Sequence, residues 1–297
     1  MRSAIVSGIS GHLGQELARQ LGVAGVELHG LTRQPVVAGQ FGAGGARLHR
    51  LDGRTETLTA LLEAVRPDVI FHVASEYRRE HRSADVIPLV EANVLFGAQL
   101  LEGMRLCGCR RLITASTYFQ HFGTDDYRAL NLYAATKQAF EDLLAYYVDA
   151  FDFSAACLTL YEVYSEHDTR TKLMTLLATA ASAGAPVNLP DEEFWIDLVH
   201  VEDAAAAFVH VARLLEEGAL GERSLSRYSV CSGRDLSSTE LVDLFERIGA
   251  RKLSLRRGGF SQPARRMDRP WRGAPVPRWK PVVRIEDGIA RMLKARR

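Results

Sequence analysis

The chain has 297 residues, 47% hydrophobic and 25% charged, with a formal net charge of +1. That length supports one large domain or two modest ones around a well-buried core, in the balance of an ordinary globular protein. A charge this close to zero excludes the field that gathers nucleic acid, and no apolar run approaches the length expected of a membrane-spanning helix.

The first half alternates between two periodicities. "AIVSG" reads as a buried strand from residue 4, which leaves no room for a signal peptide. "LGQELARQLGV" reads as a helix, with Leu13, Leu17 and Leu21 on every fourth position. "VELHGLT" and "ARLHRLD" read as strands, "ETLTALLEAV" as a helix and "DVIFHVAS" as another strand. The helical "LVEANVLFGAQLLEGMRLC" precedes the strand "RRLITAST". A further helix, with Phe140, Leu143, Leu144, Tyr147 and Phe151 on one side, leads into the strand-like "AACLTLYEVY". Strands separated by helices predict a parallel sheet covered on both faces, because each crossover needs a helix. Residues 166–195 read as mostly helical, "WIDLVHV" as one more strand, 203–217 as a helix, and the Arg-, Pro-, Gly- and Trp-rich stretch 251–284 as loop. The expected fold is α/β: a doubly wound parallel sheet with a smaller C-terminal lobe and no internal repeat. Cys107, Cys109, Cys157 and Cys231 have no zinc spacing, so no metal is expected and the thiols read as reduced and cytoplasmic.

Gly8, Gly11 and Gly14 fall where strand one turns into helix one. Glycine there supplies the dihedrals of the turn and lets backbone N–H groups approach a diphosphate at the helix N-terminus. Ser10, His12 and Leu13 complete the cradle. At the end of strand two an acidic side chain would bind the ribose hydroxyls and repel a 2′-phosphate. This chain has Thr32 and Arg33 instead, and Arg33 can pair with that phosphate. The expected cofactor is therefore NADPH rather than NAD.

"YAATK" places Tyr133 and Lys137 at i and i+4, on one face of a helix. A phenol has a reference pKa of about 10, and a neighbouring ammonium would bring it toward the working range of an acid–base group. The strand "RRLITAST", just upstream, offers Ser116 and Thr117 as hydroxyl partners.

The GxxGxxG spacing, taken with these residues in this order, resembles the extended short-chain dehydrogenase/reductase family of nucleotide-sugar epimerases, dehydratases and ketoreductases. The resemblance implies a Rossmann-type dinucleotide-binding domain over 1–165 and a mainly substrate-binding lobe over 166–297, with about 196–217 returning to the main sheet. It makes Tyr133 the proton donor, Lys137 its tuning cation and ribose contact, and Thr117 the group that orients the reacting carbonyl. Asp52 with Gly53 is implied at the adenine. Val73, Ala74 and Ser75 of "HVAS" pass under the ribose and diphosphate, with His72 structural, and Asn93 supports the site. A homodimer through the helices of Asn93 and Tyr133 is implied as well.

Family dehydratases follow the catalytic Thr with Asp-Glu; Tyr118 and Phe119 stand there and cannot act as that acid–base pair. The stretches "NLYAATKQAFEDLL" and "IDLVHVEDAAAAF" resemble the branch that reduces nucleotide-linked 4-keto-6-deoxyhexoses. Three readings follow: an NADPH-dependent 4-ketoreductase in deoxysugar biosynthesis, an epimerase with trapped NAD, or a non-catalytic dinucleotide sensor. The family's "YGP" is "YSE" here (Tyr164 to Glu166), and Thr159 and Ile196 replace its usual arginines. The sugar diphosphate must then be held elsewhere; Lys172, Arg265, Arg266 and Arg269 are candidates, with Glu76, Tyr77 and Tyr118 near the sugar. Trp195 and Trp271 are expected to pack rather than to stack on a base.

Overall fold

A computed structural model describes residues 1–34, 45–258 and 265–296; residues 259–264 of the expected C-terminal loop lie outside the described residues. The elements run β1 (Ser3–Ser7), α1 (His12–Val23), β2 (Glu27–Thr32), β3 (Arg47–Arg50), α2 (Thr55–Val65), β4 (Val69–His72), α3 (Val86–Val90) and α4 (Phe96–Cys107). They continue with β5 (Arg111–Thr117), α5 (Leu132–Phe151), β6 (Ser154–Leu160), β7 (Glu162–Tyr164), α6 (Leu173–Ala183) and β8 (Val187–Leu189). The last are β9 (Trp195–His200), α7 (Val201–Glu216), β10 (Leu225–Val230), β11 (Asp235–Ser237), α8 (Ser238–Gly249), β12 (Leu255–Arg257) and α9 (Ile285–Lys294).

Seven strands form one sheet in the order β10-β6-β5-β4-β1-β2-β3, with every pairing parallel. Its inner strands β6, β5, β4, β1 and β2 are buried on both faces, and the period of two decides which residue goes where. Ala4 and Val6 of β1 pack with Leu17 and Leu21 of α1 and Phe208 of α7, while Ile5 between them packs with Leu62 of α2, Leu101 of α4 and Phe140 of α5. The strand order reverses between β1 and β4, which opens a crevice at the carboxyl ends of the strands. A second core gathers Met174, Leu177, Leu189, Ile196, Phe245, Ile289 and Met292 from α6, β8, β9, α8 and α9, and is the smaller lobe.

The C-terminal half differs from the sequence reading in two ways. Residues 166–195 hold one helix, α6, and the short strand β8 rather than a mostly helical run. β9 does not return to the large sheet; it pairs with β7 and β11. The elements that do return are α7, which packs on α1, and β10, which pairs with β6. β10, "LSRYSV", carries polar residues through an edge position and so lacks the apolar run that marks an inner strand.

Contrary to the expectation from apolar runs, the continuous helical stretch Ser83–Cys107 spans 25 residues and contains a window of mean hydropathy 1.4, which meets the length and composition of a spanning helix. In the fold, Leu89, Leu100, Leu101 and Met104 of this stretch are fully buried, and α4 lies against α2 and α5. Val86, Ile87, Val90 and Leu95 remain exposed.

Candidate active site

The glycine turn sits at the carboxyl end of β1. Gly8 has φ +73°, and a Cβ there would lie 2.7 Å from the backbone of Ala74, so the segment after β4 is pressed against the turn. A Cβ on Gly14 would stand 2.1 Å from the Gly8 carbonyl oxygen. The first turn of α1 has no side-chain cap at Gly11 and no acidic residue, so its N–H groups and the positive end of its dipole stay open to an anion. His12 Nε2 is buried without a hydrogen-bond partner, 3.9 Å from Asp168 Oδ2, and burial holds the ring below its usual pKa. Ser10 is exposed and Leu13 packs on the core beside α1. A cradle closed to a methyl group, an uncapped helix start and an orphaned ring nitrogen fit a dinucleotide diphosphate.

Thr32 is buried, and its Oγ1 accepts from Gln34 N at 3.1 Å. Arg33 is largely exposed, with Glu76 Oε2 3.9 Å away. Asp52 accepts from Arg54 N (3.0 Å) and Thr57 Oγ1 (2.8 Å), which holds its carboxyl below the usual range. Both of its oxygens thus pin the start of α2. Gly53, at φ +83°, gives its carbonyl to Gln99 Nε2 at 3.0 Å.

Val73 and Ala74 hang from Ser7, Val73 N on its carbonyl oxygen (3.3 Å) and Ala74 N on its Oγ (3.4 Å). His72 Nδ1 meets Ser7 Oγ at 2.7 Å, and the ring lies edge-on to Phe96 and Phe140. Complete burial, and then the charge of Lys137, push His72 down to about 3, so the ring is neutral. Asn93 lies in a π turn, Glu91–Leu95, between α3 and α4, a wide turn of the kind found at functional sites. Its Oδ1 accepts from Ser75 Oγ (3.1 Å) and Glu76 N (2.8 Å), and its Nδ2 donates to Glu76 O and to Thr136 Oγ1, each at 2.9 Å. One amide thereby ties the segment after β4 to α5.

Asn131 caps α5 by accepting from Ala134 N at 2.9 Å, which starts the helix with Tyr133 in its first turn. Burial pushes Tyr133 up to about 12, with a Ser75 hydrogen bond lowering it and the Glu162 charge raising it. Lys137 is almost completely buried and falls to about 8, mainly through desolvation, with Glu141 and Cys157 opposing. Tyr133 and Lys137 lie one helical turn apart on α5, the spacing at which the sequence leads one to expect the ammonium to tune the phenol. The two share a helix face, yet the ammonium lies 6.0 Å from the Phe140 ring centre and acts on His72 and Cys157.

Thr117 ends β5. Its Oγ1 accepts from Phe119 N at 3.3 Å, which leaves the hydroxyl proton free to donate. Ser116, on the opposite face of the strand, turns toward Gln120 and Glu141.

Beside these groups opens a cavity of about 1120 Å³ between the sheet's carboxyl edge and the smaller lobe. Tyr118, Lys172, Arg265 and Arg266 line it; Glu76 and Arg269 do not. Glu76 pairs with Arg78 at 2.5 Å, and Arg269 stacks over Trp195, a wall residue, at 3.9 Å. Lys172 Nζ meets Glu162 Oε2 at 3.3 Å, Arg265 donates to Ala129 O at 2.8 Å, and Arg266 pairs with Glu192 and Asp268. Trp271 stacks on His121 at 3.6 Å, away from the wall. Tyr77 lines the cavity and packs edge-on to Tyr133 at 5.0 Å.

Glu162 and Arg79 are among the wall residues that the sequence does not single out. Glu162 follows β6, and its charge raises Tyr77, Tyr118 and Tyr133 alike; its place at a carboxyl strand end was the available signal. Arg79 has no carboxylate at ion-pair distance among the described residues, and a loop cation has no local signature. Among the described residues no cluster of His, Cys, Asp and Glu could hold a metal ion.

Fold and site together are those of a dinucleotide-binding oxidoreductase. The chain belongs to the NAD dependent epimerase/dehydratase family, whose pattern matches residues 4–230. It is 23% identical over 206 residues to a CDP-abequose synthase of Yersinia pseudotuberculosis, covering 69% of this chain and 71% of the relative. It is 27% identical over 261 residues to a UDP-glucose 4-epimerase of Mycolicibacterium smegmatis, covering 80% and 78%. The solved structure of a UDP-glucose 4-epimerase from Stenotrophomonas maltophila, with bound NAD and formylated UDP-arabinopyranose, superposes with a TM-score of 0.86 at 18% identity, covering 100% of this chain and 98% of that one.

Proposed function

We propose that this enzyme is an NADPH-dependent reductase acting at C4 of a nucleotide-linked 4-keto-6-deoxyhexose, to give a deoxysugar. The observation that carries the choice of reduction is the end of β2, where Thr32 and a largely exposed Arg33 replace a ribose-binding carboxylate. Residues 1–165, with α7 and β10, hold the cofactor, and the smaller lobe holds the sugar nucleotide. When bound, the reduced nicotinamide supplies the hydride. Tyr133, kept protonated across the neutral range by burial, donates the proton to the C4 oxygen. Thr117 donates its free hydroxyl proton to the same oxygen and fixes its direction. Lys137 binds the nicotinamide ribose and places a cation beneath the site. Arg79, with Lys172 and Arg265, holds the sugar diphosphate in place of the family arginines. Val86, Ile87, Val90 and Leu95, together with exposed Tyr146 of α5, support a homodimer through these helices. The free cysteines accord with a cytoplasmic enzyme.

The second reading is an epimerase that retains NAD, favoured by the similarity to UDP-glucose 4-epimerases and by the NAD in the superposed structure. One experiment separates the two. The purified protein is mixed with a molar excess of NADPH and, in turn, TDP-, CDP- and GDP-linked 4-keto-6-deoxyhexoses. The reductase consumes NADPH in stoichiometric amounts. Tightly bound NAD in the purified protein, with isomerisation of a UDP-hexose and no net consumption, would replace this reading with the epimerase.

Arg33→Glu is expected to weaken NADPH by about 10–100-fold, the worth of a lost charge-assisted contact plus repulsion, while NADH changes little. Titration of both cofactors by fluorescence checks this; equal losses for the two would remove the 2′-phosphate contact.

A further inference from the structure

A carboxylate on the cavity wall, given no part in the reaction above, is tied by contacts to both groups proposed to meet the C4 oxygen. Glu162 comes just after β6. Thr117 is the register partner of Leu160 on that strand, so Glu162 lies two residues, at most about 7 Å of chain, beyond the level of Thr117. Tyr118, next to Thr117, stacks on Tyr161, next to Glu162, with ring centres 5.2 Å apart and planes 4° from parallel. On the other side the Tyr133 ring meets Tyr77 at 5.0 Å, the Lys172 ammonium lies 4.9 Å from the centre of the Tyr77 ring, and the same ammonium meets Glu162 Oε2 at 3.3 Å.

Lys172 occupies one carboxylate oxygen. The other, Oε1, accepts no hydrogen bond among the described residues, and there the Tyr77 and Tyr118 hydroxyls have no hydrogen-bond partner either. All three residues line the cavity, and the Glu162 side chain is 26% exposed. A half-buried acceptor needs a donor once water is displaced, and the bound sugar brings one. Because Lys172 balances the charge of Glu162, the pair suits a neutral hydroxyl better than an ammonium, while the free oxygen repels phosphate. In a 4-keto-6-deoxyhexose the carbons flanking C4 are C3, which carries a hydroxyl, and C5, whose exocyclic substituent is a methyl. Only C3 offers a donor beside the reacting centre. The other wall carboxylate, Glu80, is exposed on the loop after β4.

We infer that Glu162 is a specificity-determining residue: its Oε1 accepts a hydrogen bond from the C3 hydroxyl of the bound sugar, so the enzyme discriminates against sugars that are deoxygenated at C3. The inference rests on the reductase reading for the identity of the sugar and for the placement of C4 at Tyr133 and Thr117.

The test uses wild type, Glu162→Ala and Glu162→Gln with two pairs of ligands, each joined in turn to TDP, CDP and GDP. The first pair is a 4-keto-6-deoxyhexose and its 3-deoxy counterpart, for which kcat/KM is measured with NADPH. The second is the same two sugars with a hydroxyl at C4, for which Kd is measured by calorimetry without any turnover. Wild type is expected to favour the 3-hydroxy member of each pair by about 10–100-fold, the worth of a hydrogen bond to a charged group. Glu162→Ala should weaken the 3-hydroxy ligand by that factor and leave the 3-deoxy ligand within threefold, and Glu162→Gln, which keeps an acceptor, should retain part of the preference. A structural role would lower both ligands alike; that result, or a wild-type ratio near one, overturns the inference. If Glu162→Ala does not fold, Glu162→Gln decides. Preference in Kd without turnover would overturn the reductase reading and keep the C3 contact, turnover without preference would do the reverse, and failure of both sugars to bind would overturn the two together.

Discussion

Tyr133→Phe is expected to lower kcat by about 10²–10⁴-fold, the usual worth of a positioned general acid, while binding of dinucleotide and sugar nucleotide stays within a few-fold. The removed atom is the single phenolic oxygen. Its neighbour Ser75, which lowers the phenol's pKa, gives its own hydroxyl to Asn93 Oδ1 and is untouched by the change. The ring's packing against Tyr77 is unchanged in Phe, so fold and cavity persist. Because burial holds the phenol near 12, it stays protonated throughout the neutral range, as the proposed role of donor requires. The reductive rate should therefore show no limb from Tyr133 between pH 6 and 9. Steady-state reduction of the keto sugar, with calorimetric titration of NADPH, checks both halves. A kcat within threefold of wild type would remove Tyr133 from the chemistry.

Gly8→Ala is expected to destabilise the protein by roughly 1–3 kcal/mol and to weaken dinucleotide binding by about 10²-fold. Two effects add at this position. The backbone is at φ +73°, where an L side chain is strained, and the new methyl would lie 2.7 Å from Ala74 N and Cα. Relief requires the segment after β4 to move, and that segment carries Ser75 and, through Asn93, the start of α5. Gly53→Ala is the control: its φ is +83° but nothing lies within 4 Å of the added atom, so it should show the strain without the displaced segment. Urea unfolding and NADPH titration of both variants separate these terms. Equal behaviour of the two would mean that the Gly8–Ala74 approach does not matter.

Much of the fold was legible because its signals are local. Leu13, Leu17 and Leu21 mark α1, and the apolar runs of β1, β4 and β5 mark strands buried on both faces. The glycine turn, the missing carboxylate after β2 and the i, i+4 pair on α5 are local too, and the structure places all three at the carboxyl edge of the sheet. Less was legible where partners are distant in sequence. β9 looks like another sheet strand, yet it pairs with β7 and β11, and the half-polar β10 takes the edge next to β6. Glu162 and Arg79 join the cavity wall only because the smaller lobe closes over the strand ends.

The amino-acid order by itself determined the doubly wound sheet, the cradle after β1 and the residues available for proton transfer, because periodicity, glycine and helical spacing act within a few residues. Tertiary structure alone decided how those residues are charged. Desolvation keeps Tyr133 protonated and brings Lys137 down to about 8, with Glu141 and Cys157 opposing, and such burial is set by packing across the whole chain rather than by spacing along it.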